Sequence, residues 1–109
     1  MTEVKSKNYN LYGDGGEWLG QIVLTNDGFF GSVTDYGNLS YAWRNYSDQD
    51  FRKFICSLNV DYFGSKLYTG MAYILYGTKC EKSWHRFAEK ILPPLQKMLR
   101  EEIEQGITF

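Results

Sequence analysis

Six cations near the C-terminal end of the chain are the residues whose spacing most suggests chemistry. Lys79, Lys82, Arg86, Lys90, Lys97 and Arg100 fall within an arc of roughly 80° when the segment is wound at about 100° per residue. A basic stripe of this kind can meet phosphates or an acidic protein surface. Glu81 and Glu89 lie close enough to dilute its field, and the whole chain carries a formal net charge of −1. A solvated helix face is therefore the more economical reading. A nucleic-acid-binding accessory role is kept as the alternative. Charge is nonetheless uneven: residues 1–46 hold Lys5, Lys7 and Arg44 against five acids, and residues 47–109 hold the other nine basic side chains against eight acids.

The remaining reactive groups point away from catalysis. His85 is the only histidine. It sits between Lys82 and Arg86, and spacing indicates no partner to orient it as a general base. Cys56 reads as a small filler on an apolar stripe. Cys80 begins a long helical pattern, where a helix dipole can lower a thiol pKa. Two cysteines and one histidine do not make a structural zinc site of the usual kind, so neither metal nor cofactor is expected. Asp14, Glu17, Asp27 and Asp35 fall mostly in turns. Gly13-Asp14-Gly15-Gly16 is a poor phosphate cradle, because no Lys-Ser or Lys-Thr follows it and the next element reads as a strand. A second candidate surface is the polar face of a sheet, carrying Gln21, Arg44 and Tyr46 with Tyr36 at a nearby turn. Arginine and tyrosine are side chains that anchor protein interfaces.

The elements that must position these residues divide the chain in two. Residues 8–12 read as a short strand, followed by a glycine-rich turn. Residues 18–25, 29–34 and 39–46 read as a meander, with the turn signals Asn26-Asp27-Gly28 and Asp35-Tyr36-Gly37-Asn38 between them. Alternation assigns Trp18, Ile22, Leu24, Phe29, Val33, Leu39, Tyr41 and Trp43 to a face that packs on helices. It assigns Gln21, Thr25, Phe30, Ser32, Thr34, Ser40, Arg44 and Tyr46, with Leu19 and Val23 among them, to a face that meets solvent.

Ser47-Asp48-Gln49-Asp50 looks like a helix start, with Ser47 able to cap. Phe51, Phe54, Ile55 and Leu58 then follow at helical spacing. Asn59 can cap a short helix over 60–68 that Gly70 ends. Residues 71–76 fit a strand or a tight apolar segment equally. Residues 79–105 carry Trp84, Phe87, Ala88, Ile91, Leu92, Leu95 and Met98 on one side. The apolar phase continues across Pro93 and Pro94, which favours one kinked helix over two. The tail leaves that helix at Gly106.

The expected fold is therefore α+β: an N-terminal antiparallel β-meander of three or four strands, about 8–46, packed against C-terminal amphipathic helices, about 48–105. At 109 residues the chain fits one domain. Of its residues, 43% are hydrophobic and 17% aromatic, enough to build a core rather than a disordered chain. The first residues lack the apolar run of a signal peptide, and no stretch suffices to span a membrane. The expectation is a cytosolic chain with reduced thiols.

Asp14-Gly15-Gly16-Glu17-Trp18, Asp27-Gly28-Phe29-Phe30 and Tyr36-Gly37-Asn38-Leu39-Ser40-Tyr41-Ala42-Trp43 form the string DGGxW…DGxF…YGNxxYxW. In this the chain resembles a group of short bacteriophage and prophage proteins. The likeness extends weakly through Asp50–Phe54 and Asp61–Phe63. It brings no catalytic residues with it. It implies life in the cytoplasm of a bacterial host and a partner that is a host protein or defence complex. By analogy, the function would be non-enzymatic inhibition of a defence system such as CRISPR interference, by occluding a surface. A homodimer through a sheet edge or aromatic patch is also allowed.

Overall fold

The computed structural model describes residues 3–46, 49–71 and 77–109, with backbone alone over 68–71 and 77–83. Four antiparallel strands come first: β1 (Ser6–Tyr12), β2 (Trp18–Thr25), β3 (Phe29–Thr34) and β4 (Ser40–Ala42), in that spatial order. Among the described residues three helices follow: α1 (Phe51–Cys56), α2 (Val60–Met71) and α3 (Gly77–Glu104). The expected meander is observed with β1 as its fourth strand, but its last strand is Ser40–Ala42 where 39–46 was expected, so Arg44 and Tyr46 lie beyond the sheet. The architecture is α+β.

The register across the three-residue hairpin decides which side chains face the helices, and it corrects the expected faces. Leu24 pairs with Phe30 and Ile22 with Ser32, so three residues, Asn26 to Gly28, join β2 to β3. A two-residue loop would have set Leu24 opposite Phe29. One residue of slip moves every side chain of a strand to the other face. Phe30 and Thr34 are consequently buried, while Phe29 and Val33 point outward. Gly28 makes this loop possible. Its φ of 98° is the left-handed position that follows the turn in a three-residue hairpin, and a Cβ there would overlap the Trp43 carbonyl oxygen.

A second correction lies at the start of β2. Leu11 pairs with Gly20 but Tyr12 pairs with Trp18, so Leu19 is an extra residue in its strand. A bulge of this kind bends the strand and re-aims its side chains. Leu19 turns inward and is buried, whereas Trp18 is exposed. The phases read for Ile22, Leu24, Leu39 and Trp43 hold, since all four lie in the core. Tyr46, expected on the wet face, is half-buried against that core.

The helices close the other side of the sheet. α1 is capped by Asp50, whose carboxylate accepts from the Arg52 N–H; the expected cap Ser47 lies outside the described residues. Asn59 caps α2 by accepting from the Tyr62 N–H at 2.8 Å. α2 continues through Gly70, where an end was expected, to Met71. The choice between strand and apolar segment beyond it falls at residues 72–76, outside the described ones. α3 is one helix containing both prolines. It terminates on Gly106 at φ 77°, with the Ile107 N–H returning to the Glu102 carbonyl at 3.2 Å, the bond that satisfies a helix end.

The core joins Leu11, Ile22, Leu24 and Phe30 of the sheet to Phe63 and Leu67 of α2 and Phe87, Ile91, Leu95 and Leu99 of α3. Aromatic rings interlock at its centre. Phe30 meets Phe63 edge-on at 5.2 Å, and Trp43 stacks on Phe63 at 6.2 Å. α2 approaches α3 closely at Gly64, where a Cβ would overlap the Trp84 ring and lie 3.2 Å from the Ala88 Cβ.

Candidate functional site

The three helices among the described residues pack on one face of the sheet, and among those residues the opposite face is open. Tyr12, Trp18, Phe29 and Val33 stand 56%, 40%, 36% and 57% exposed on it. Their placement follows from register. Tyr12 is opposite Trp18 across β1 and β2, and Gln21 lies between Asn10 and Val33. The Trp18 indole N–H donates to the Asn10 side-chain oxygen at 3.3 Å, which fixes the indole on the surface. The Phe29 ring lies over Gly31, where a Cβ would be 2.8 Å from its Cε2. Rings at two ends thus flank a middle of Gln21, Val33 and small residues. Aromatic anchors beside polar groups are the composition of protein-binding patches.

The four residues expected on a polar sheet face are not brought together. Gln21 is exposed in the middle of the open face. Arg44 is at the β2–β3 hairpin tip, where it pairs with the Asp27 carboxylate at 3.1 Å and donates to the Asp27 carbonyl. The Thr25 hydroxyl, donating to Asp27, is the main reason that this carboxyl is held below its usual range, with Arg44 contributing. Tyr46 packs its ring against Phe51 and Phe54 and donates its hydroxyl to the Asn26 carbonyl at 2.8 Å; burial raises its pKa. Tyr36 lies at the β3–β4 turn under the Arg86 guanidinium, 5.4 Å from its ring centre.

The basic stripe is similarly divided. Lys79 and Lys82 have side chains outside the described residues. Arg86 is engaged with Tyr36, and Arg100 reaches the Cys56 carbonyl at 3.4 Å. Lys90 and Lys97 are exposed beside Pro93 and Pro94, in a groove that also holds four carboxylates. His85 has the partners that spacing did not indicate: its Nδ1 is 3.2 Å from Glu89 and its Nε2 3.5 Å from Asp61. Glu89 is visible as an i+4 neighbour, but Asp61 comes from another helix. The Cys56 thiol donates to the Gln96 carbonyl at 3.6 Å, and burial pushes its pKa up. That environment does not generate a thiolate nucleophile.

A buried charge cluster centred on Arg52 is not legible in the sequence. Arg52, only 3% exposed, sits between three elements and the tail. It forks onto the Asp50 carboxylate at 3.1 and 2.7 Å, donates to Glu102, and donates to the Ile107 carbonyl at 2.8 Å. The Phe109 ring lies 5.6 Å from its guanidinium carbon. Glu102 also accepts from the Tyr9 hydroxyl at 3.0 Å and lies 3.6 Å from the Lys7 ammonium. The hydrogen bonds from Arg52 hold the Asp50 carboxyl below its usual range. Burial, reinforced by the bond to Glu102, drives the Tyr9 hydroxyl well above its own. Each charge in this cluster has a partner, the condition under which ions remain in an interior. It joins β1, α1, α3 and the C-terminal tail.

A family model described as a phage family (Phage_phiTE_072) matches residues 1–84. The chain belongs to this phage family. Neither a curated protein nor a solved structure matches it. In this phage protein the matched segment contains all four strands, and therefore the whole open face. Lys90, Lys97 and Arg100 lie beyond it. No helix among the described residues is long and apolar enough to cross a membrane.

Proposed function

We propose that this phage protein is a non-enzymatic binding protein that occludes a surface of a host protein, as an inhibitor of a bacterial defence complex such as CRISPR interference would. The open sheet face makes the contact. The observation that carries this reading is the exposure of Tyr12, Trp18, Phe29 and Val33 together on a face that no helix among the described residues covers. Large side chains grouped in this way mark interaction sites. The position of the face within the segment shared with the phage family adds support. The nucleic-acid reading has less behind it, since Arg86 is stacked on Tyr36 and the groove lysines have carboxylates beside them.

Two variants test the proposal. Trp18→Ala and Val33→Arg alter exposed side chains and should leave the thermal transition within about 0.5 kcal/mol of the parent. The chain is expressed in bacteria with an active CRISPR interference system, and phage plating is measured. The parent should restore plating and co-purify with a stoichiometric host protein, and both variants should lose both properties. No rescue by the parent would remove the defence role. Full activity in both folded variants would remove the sheet face as the contact.

A further inference from the structure

A groove of about 810 Å³ separates the β1–β2 turn from the proline segment of α3. We infer that it is a binding site for an arginine-bearing extended segment of a partner protein, adjoining the open sheet face at Tyr12. Three observations bear on the occupant. First, Asp14 and Glu17 from the turn and Glu89 and Glu101 from the helix line the groove, against Lys90 and Lys97. The balance is four negative charges to two positive, so the lining carries −2 and selects a cation.

Second, two backbone acceptors in the groove's lining lack their usual helical donors. Pro93 and Pro94 lie inside α3 and have no N–H to donate. The carbonyls four residues earlier, on Glu89 and Lys90, therefore receive no bond from their usual i+4 donors. All four of these residues line the groove. Acceptors on the backbone of a helix are fixed in place before a ligand arrives. Third, the Glu17 carboxylate is held over the β1–β2 turn. A Cβ on Gly13 would overlap it, and one on Gly15 would lie 2.9 Å from its Oε2. Glycine at these two positions leaves the space that the carboxylate occupies.

Carboxylates and carbonyls accept hydrogen bonds and donate none, so the complementary group is rich in N–H. A guanidinium presents five donors in a planar fork. The exposed Tyr12 ring at the groove's edge supplies a surface on which such a plane can stack, and the prolines supply an apolar wall for the methylene stem. An ammonium would meet the charge but would use neither the fork nor the stacking surface.

The test uses the full chain, labelled with ¹⁵N, and a blocked Ala-Arg-Ala-Ala-Arg-Ala peptide, with its Lys and Glu counterparts as controls. The arginine peptide should give saturable amide shifts at residues 12–17 and 89–101, the lysine peptide weaker ones, and the glutamate peptide none. A Glu17→Gln/Glu101→Gln double variant, changing exposed side chains only, should weaken the arginine peptide by roughly tenfold. Lys97→Glu should tighten it, a change that a structural role for these residues would not produce. Absence of saturable shifts, shifts centred on Trp18 and Val33, or unchanged binding in both variants with parental spectra would overturn the inference. Host-defence inhibition through the open face is read separately, by plating with the Trp18→Ala and Val33→Arg variants.

Discussion

Replacing Arg52 by leucine gives the sharpest test of how the parts of this protein are tied together. The substitution removes the donors to Asp50, Glu102 and the Ile107 carbonyl at once. Glu102 keeps Tyr9 and Lys7, and Asp50 keeps one backbone N–H. Breaking a buried ion pair from one side costs about 3–5 kcal/mol. The Asp50 side chain is 26% exposed, so water repairs part of its loss, and about 3 kcal/mol is expected. At about 5 °C per kcal/mol for a domain of this size, the melting temperature should fall by about 15 °C. Urea unfolding followed by circular dichroism measures the same quantity. The pH dependence provides a second readout. Because the Asp50 carboxyl is held below its ordinary value, its contribution is present at neutral pH. It is lost as pH falls below about 4. In Arg52→Leu this acid limb should flatten. A loss under about 1 kcal/mol, the value of an exposed ion pair, with an unchanged acid limb would refute the account of the cluster.

Two further outcomes follow from the packing. Tyr9→Phe should cost about 1 kcal/mol at neutral pH through the lost bond to Glu102. The raised Tyr9 pKa means that its contribution is present below pH about 10 and disappears as pH rises beyond it. The variant should therefore lose less stability than the parent in alkaline urea titrations, with Tyr46 leaving a residual slope. Gly64→Ala should destabilise by about 1–3 kcal/mol, because the added methyl must displace the Trp84 ring in a close helix crossing; an unchanged unfolding midpoint would show that α2 and α3 are less tightly fitted than described.

Much of this architecture was legible as period and punctuation. Ile22, Leu24 and Trp43 announce the covered face, and the apolar arc from Phe87 to Leu95 survives two prolines. What escaped depends on counting and on distance. The three residues between Thr25 and Phe29 set Leu24 opposite Phe30, so Phe30 and not Phe29 belongs on the Leu24 face; the phase across the hairpin follows from the loop count, and alternation within each strand taken separately does not carry it. The bulge at Leu19 leaves no compositional mark, so Trp18 was assigned to the core. Arg52 lies beside the apolar stripe of its helix and not in it, with Asp50 two residues away as a faint signal. Its other partners, Glu102 and Ile107, are fifty or more residues distant, beyond the reach of local pattern. The aromatic open face is hidden in the sequence for the first two reasons together, and the groove acids Asp14 and Glu17 look there only like turn formers.

The division of the core has a consequence for shortened versions of the chain. The shared family segment stops at residue 84, but Phe87, Ile91, Leu92, Leu95 and Leu99, all buried, come after it. A fragment cut at that boundary would keep every strand and still present the greasy underside of its sheet to water. It would aggregate or recruit an apolar helix from elsewhere. Shortened versions that retain the open face therefore need α3, or an amphipathic helix supplied in trans, before that face can be displayed.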